Sequence, residues 1–476
     1  MKINRISKKE KLKHMWSLRI GLFMPRPNGF KDKARLEKIP VSEFKDKTDL
    51  LVFPEGYDEI SEKERQENIF YYSTFARKRK IALILGMNIE DAGPQKLYAH
   101  ELWFFSKKGD NFTVYKKHSN TEWSAWDTDV YDPAAALMTV PVYSNRSAKV
   151  IQVGMTLCHD HYIAPLQAYL VRTKKAQILI NPSGDPSYPT LRKWTACQRA
   201  RAIENSKKGK PVWSFATMWA GDSKPWGKLF GFGPTGDQVQ FVPWRGTFKD
   251  AKPADSLSPD DLSRKNLPLW WTEIGPGAEL GTTSKIIKYT SDLHGSQKKP
   301  KMNLKISASG AGLRIRNSRP LKWYPRGIIE AGHISNVGKI LFLRMNSKEL
   351  VDPIACWKRI LLSTNNDTQR YLIWCRIDKD PKNELRWIAQ SRALELCTPV
   401  IIHSQSSNKL WGYAIANQSS KYPAKKENAK TIDISFAFKI QGAGKKYALS
   451  PLTAMIKNAK RDPLWKAHFT KMVLSI

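Results

Sequence analysis

Acidic residues are scarce in this chain: 43 Asp and Glu stand against 79 Lys and Arg, a formal net charge of +36 over 476 residues. An imbalance of that size points to a polyanionic partner, because counterion release rewards each phosphate that a Lys or Arg neutralises. Cysteine is scarce as well. The five thiols include no Cys-x-x-Cys pair and no His-x-x-x-His accompanies them. That excludes a disulfide framework and the common zinc modules, and it implies a reducing compartment. No apolar run is long enough to span a bilayer, so no membrane association is expected. The opening MKINRISKKEKLKHMWSLRIGLFMPRP is basic, but Arg19 interrupts its apolar segment and no small-residue cleavage site follows. It reads as a basic arm and then a strand, not a signal peptide. A cytoplasmic protein with no cofactor and no metal is expected.

What is present argues for a folded chain. Hydrophobic residues make up 41% and there are 17 Trp, more than a disordered chain carries. The length predicts two domains. The basic charge is clustered. Residues 285–326 hold eleven Lys or Arg and one acid, and 421–471 hold twelve and three. Lys298, Lys299, Lys301, Arg314, Arg316 and Arg319 are candidate contacts to DNA or RNA phosphates, with no base-reading module beside them.

Along the first half, apolar strand-like runs alternate with helical spacing, the pattern of a mixed α/β fold. Strands are expected at 17–24, 47–57, 80–91, 148–158, 176–183 and 210–219. Helices are expected at 59–80, 164–175 and 191–208, and a hairpin at 96–118 turning on Lys107-Lys108-Gly109-Asp110.

Three of these runs end in reactive residues: Glu55 in LVFPEGY, Lys117 in FTVYKKH and Cys158 in VIQVGMTLCHD. A thiol is mostly protonated at neutral pH and needs a base, and a tetrahedral intermediate needs fixed positive charge at its oxyanion. Glu55 and Lys117 match those two needs. His118, His159 and His161 share no helix face that would suggest a metal.

Four stretches in order resemble the nitrilase or carbon–nitrogen hydrolase superfamily: Pro54-Glu55, Tyr115-Lys116-Lys117-His118, Gly154 through Cys158-His159-Asp160, and Arg201-Ala202-Ile203-Glu204-Asn205. The resemblance covers about 17–245. It implies an α-β-β-α sandwich, a homo-oligomer packed sandwich to sandwich, and hydrolysis of a small amide or nitrile. Glu55 would be the base, Lys117 the oxyanion cation and Cys158 the nucleophile with a low pKa. Asp160 would orient local backbone, and Arg201 and Glu204 would be structural. Departures accompany the match. The lysine is doubled, so Lys116 competes with Lys117. The second Glu that many members place between Lys and Cys could be Glu122, with Asp127 or Asp129 as substitutes. Nitrilase-like domains also occur attached to nucleic-acid machinery, including bacterial defence reverse transcriptases. The alternative is therefore a catalytically silent assembly module in such a complex.

The expected organisation is a basic arm at 1–16, the nitrilase-like domain at 17–250, a linker with a basic run at 251–310, and a basic C-terminal α/β domain at 311–476. The last part echoes the first. AKVIQVGMT, Pro165, LRKW and RAIE recur in order as GKILFLRMN, Pro353, LRW and RALE, with no cysteine where Cys158 would fall, near Ser347 to Glu349. A degenerate partial repeat is implied. Cys197, Cys356, Cys375 and Cys397 are expected in cores.

Overall fold

The computed structural model describes residues 16–23, 36–90, 98–110, 112–118, 133–147, 149–184, 188–207, 209–219, 228–253, 269–275, 282–283, 305–309, 312–315, 321–322, 328–334, 338–363, 370–396, 398–415, 423–433 and 463–476. The chain first lays down β1 (Leu18–Phe23), β2 (Leu50–Val52), β3 (Asp58–Ser61), β4 (Ala82–Glu90), β5 (Tyr98–Phe105) and β6 (Phe112–Lys116), paired in the order β6-β5-β4-β2-β1 with β3 beside β4. Helices α1 (Val41–Lys47) and α2 (Arg65–Arg79) cover its outer face. Alternation along β4 explains the layering. Leu83, Leu85 and Met87 join Phe44, Tyr72 and Phe75 of the helices, while Ala82 and Ile84 point to the opposite core.

After α3 (Pro133–Ala136), that opposite core is closed by β7 (Thr139–Tyr143), β8 (Val150–Met155), β9 (Ile178–Ile180), β10 (Ser183–Gly184), β11 (Trp213–Trp219), β12 (Lys228–Phe232) and β13 (Gln238–Pro243). Helices α4 (Ala164–Arg172) and α5 (Tyr188–Asn205) lie on its far side. The α-β-β-α sandwich expected from the sequence is the result.

Two expectations are corrected here. Asp58–Ser61 is not helical: it pairs parallel with β4, and Glu64 takes the Ser61 N–H at 2.8 Å, so the helix proper starts at Arg65. The domain edge at 250 also falls short. Past β14 (Lys252–Pro253), β15 (Leu269–Ile274) is fully buried and lies between β1 and β13, antiparallel to both. Arg19 on β1 fixes that seam by an ion pair to Glu273 at 3.0 Å. The Pro-, Ser- and Asp-rich stretch that suggested a linker precedes a central strand. A short β16 (Thr282–Thr283) adds to β13.

The second half begins with β17 (Lys305–Ser309), β18 (Gly312–Ile315) and β19 (Leu321–Lys322). It continues through β20 (Ile328–Ile334), β21 (Gly338–Met345), α6 (Ser347–Val351), α7 (Pro353–Ser363), β22 (Arg370–Ile377) and α8 (Asn383–Glu395). It ends with β23 (Val400–Ser404), β24 (Lys409–Ile415), β25 (Pro423–Ala429), β26 (Thr431–Asp433) and α9 (Pro463–Ser475). Its main sheet runs β20-β21-β22-β23-β24-β25, and β26 joins the small sheet β19-β18-β17.

The echo in the sequence is matched in topology. From β7 to β13, omitting β10, successive neighbours pair antiparallel, parallel, parallel, antiparallel, antiparallel, and β20 to β25 repeat that series. The α4 and α5 positions are taken by α7 and α8. The two helical layers pack on each other, α5 on α8 and α4 on α7, and Arg172 of α4 pairs with Asp352 at 2.9 Å. One continuous core runs from Val153 through Leu166, Trp357 and Ala393 to Ile402. The C-terminal lobe therefore shares its core with the first.

Candidate active site

Glu55, Lys117 and Cys158 each follow the last residues of a strand, β2, β6 and β8, and their buried side chains meet at one end of the sandwich. Pro54 ends the β2 ladder, and Gly56 turns the chain with φ +65°. Gly86 of β4 lies directly under this turn. A Cβ there would sit 2.3 Å from the Pro54 carbonyl oxygen and 2.4 Å from Glu55 Cα. Gly86→Ala should therefore displace Glu55 and cost about 1–3 kcal/mol or more. Urea unfolding measures this, and a wild-type midpoint would refute so tight a turn.

Lys117 donates its backbone N–H to the His100 carbonyl at 3.1 Å and its Nζ to Glu55 Oε1 at 2.7 Å. The other carboxylate oxygen, Oε2, accepts the Gly184 N–H at 2.8 Å. Cys158 opens a 3₁₀ turn, Cys158–Tyr162, in the left-handed region at φ +48°, a strained conformation for a residue with a Cβ. The strain is held by Cys158 N–H donating to the Pro182 carbonyl at 2.8 Å and by Asn181 Nδ2 donating to the Cys158 carbonyl at 3.3 Å. The thiol lies 3.7 Å from the Gly184 carbonyl oxygen. Asp160 ties the turn to β6 by accepting from Tyr115 Oη at 2.8 Å and the His118 N–H at 3.0 Å.

The electrostatics differ from the expectation of a low-pKa thiol. Burial pushes the Cys158 thiol well above its ordinary value, and the Glu55 charge pushes it further; Lys117 opposes them and loses. Burial is the larger cause, and Lys117, paired with Glu55, does not offset it. Burial would raise Glu55, but the Lys117 and His100 charges and hydrogen bonds from Cys158 and Lys117 hold it below the usual carboxylate range. Burial would lower Lys117, and the neighbouring negative charges keep it above the ordinary lysine value. The resting site is a thiol beside an ion pair.

His100 is a site residue that the sequence did not mark. Its Nδ1 is 2.8 Å from Asn88 Oδ1 and 3.6 Å from Glu55 Oε1. Both residues sit inside ordinary strands, β5 and β4, with no spacing to single them out. Burial lowers the His100 pKa to about 4. The unfolded chain thus binds a proton near pH 6.5 that the folded one refuses until about pH 4. Stability is full above pH 6.5 and is lost as pH falls toward 4, by roughly 3 kcal/mol. Depressed Glu55 acts in the same direction at its own lower range. His100→Gln should flatten the urea midpoint between pH 7 and 5, and an unchanged slope would refute the assignment.

Of the other candidates, Lys116 is paired in register with Glu101, so Lys117 is the lysine on Glu55. Arg314 is exposed on β18. Glu122, Asp127, Asp129, Lys298, Lys299, Lys301, Arg316, Arg319 and Cys397 lie outside the described residues. Cys197, Cys356 and Cys375 are buried. Among the described residues no group of His, Cys, Asp and Glu could hold a metal, and no helix is long and apolar enough to cross a membrane.

Residues 34–230 match the family model described as carbon-nitrogen hydrolase. No match is found among curated proteins. Similar solved structures include a carbon-nitrogen hydrolase from Helicobacter pylori G27, at 19% identity and TM-score 0.38 over 54% of this chain and 89% of that one. An amidase from Nesterenkonia sp. matches at 15% identity and TM-score 0.37 over 54% and 90%. The C. elegans NitFhit protein matches at 19% and 0.39 over 54% and 60%. By the family match, residues 34–230 are a carbon–nitrogen hydrolase domain.

Proposed function

We propose that this protein hydrolyses the C–N bond of a small amide or nitrile, with Cys158 as nucleophile, Glu55 as base and Lys117 as oxyanion cation. The observation that carries it is the buried Glu55–Lys117 pair at 2.7 Å with the thiol of a strained turn beside it. Because the thiol is protonated at rest, its proton passes to Glu55 as the S–C bond forms on an amide. Lys117 Nζ and the main-chain N–H of His159 take the charge that develops on oxygen. Glu55 returns the proton to the departing amine as C–N breaks. It then removes one from the water that splits the thioester, freeing the acid and restoring the thiol. The proposal extends to DNA or RNA association, supported by the +36 charge and the exposed Arg314. A cysteine-to-alanine variant separates the two roles: nucleic-acid binding should persist where hydrolysis stops.

A further inference from the structure

Between the two lobes, four buried charged side chains close a ring. Arg201 of α5 donates to Glu204 and to Glu395 of α8, and Arg392 of α8 donates to Glu204 Oε2 at 2.6 Å and Glu395 Oε2 at 3.0 Å. Exchanging the lobes maps the ring onto itself. Each arginine has one nitrogen left for the turn that follows its own lobe's strand. Arg201 Nε donates to the His161 carbonyl at 3.1 Å, and Arg392 Nε to the Leu350 carbonyl at 3.2 Å. His161 belongs to the turn opened by Cys158, and Leu350 to α6, opened by Ser347. Both are three residues into their turn, so the serine stands where the first lobe has its thiol. One side of the ring grips the turn of Cys158, and the other grips a counterpart without a thiol.

A buried ion ring is seldom more stable than an apolar packing of equal volume, so its consequence is better sought in orientation. We infer that the C-terminal lobe is a built-in partner of the first, in which Arg392 and Glu395 are positioning residues that fix the Cys158 turn through Arg201 and the His161 carbonyl. This rests on the reading of Cys158 as the nucleophile. Without Glu395, the Arg201 guanidinium loses its anchor across the lobes and the turn loses a fixed carbonyl contact.

The test is iodoacetamide alkylation of the full-length protein, with peptide mapping of Cys158, Cys197 and Cys375 across pH. The double variant Arg392→Met, Glu395→Gln removes one charge of each sign and leaves Arg201–Glu204 neutral. With its circular dichroism unchanged, Cys158 alkylation should slow by roughly tenfold or more and its pH midpoint should move, while Cys197 and Cys375 keep their rates. Ser391→Ala keeps all four charges and removes only the hydroxyl that bonds Glu395. It should slow Cys158 about two- to threefold, and it carries the test should the double variant not fold. A wild-type Cys158 no faster than the two core thiols overturns the nucleophile reading itself. A fast wild-type Cys158 with the wild-type rate and pH midpoint in whichever variants fold overturns the positioning role alone.

Discussion

Cys158→Ala should abolish C–N hydrolysis, by roughly 10⁴-fold or more against wild type, since Cys158 is the described thiol that lies against Glu55 and Lys117. Ammonia release from a panel of short aliphatic amides and nitriles, with mass spectrometry for an acyl adduct on Cys158, measures it. Glu55→Gln should lose as much turnover and should also unfold more easily. It strands the Lys117 ammonium in a site with only 8% of that residue exposed, a change expected to cost about 3–5 kcal/mol. Lys117→Met removes the cation instead, so it should impair turnover while leaving Glu55 a weaker acid-range carboxylate. Turnover that survives in Cys158→Ala would sink the Cys158 mechanism, and a wild-type protein with no turnover on the panel would favour the silent assembly module.

DNA or RNA affinity should fall by about 10³–10⁵ between 50 and 200 mM salt if six to ten phosphates are contacted. Single- and double-stranded oligonucleotides of unrelated sequence should bind alike, because phosphate contacts carry no sequence information. Cys158→Ala should not alter the slope, since the site is buried and neutral overall. Replacing Arg314 by Ala should lower the slope by about one. Binding that is absent at low salt, or that ignores salt, would mean the +36 charge faces some other partner.

The candidate site was legible in the sequence where strand ends carried it. Glu55, Lys117 and Cys158 each terminate an apolar run, and it is the resemblance of their motifs, in order, to the nitrilase superfamily that implied their meeting. Asn88 and His100 were hidden because they occupy mid-strand positions, where a polar residue more often faces water. Against the low-pKa thiol expected from that order stand burial first and then the Glu55 charge, neither of which sequence order displays. Residues 59–61 were read as helix because the polar run they open continues without a break into the helical spacing of Ile69, Tyr72 and Ala76. The edge at 250 was set by composition, whereas β15 is placed by its Trp270 and Trp271 in the seam. The repeat was legible through RAIE and RALE because those positions form the ring between the lobes.

The position of β15 also sets a timetable for the nascent chain. β1 emerges early, yet one of its flanks waits for a partner 246 residues downstream, counting from Phe23 to Leu269. At ribosomal speeds of about 5–20 residues per second, that wait is about 12–50 s. During it, β1 presents an unpaired edge with Leu18, Ile20 and Leu22 beside it, and the sheet carrying Cys158 has no strand joining it to the sheet carrying Glu55. Synthesis past Ile274 lets the two sheets zip through β15. Ribosome stalling or truncation before that point should therefore yield aggregation-prone chains that contain Glu55, Lys117 and Cys158 without the frame that brings them together.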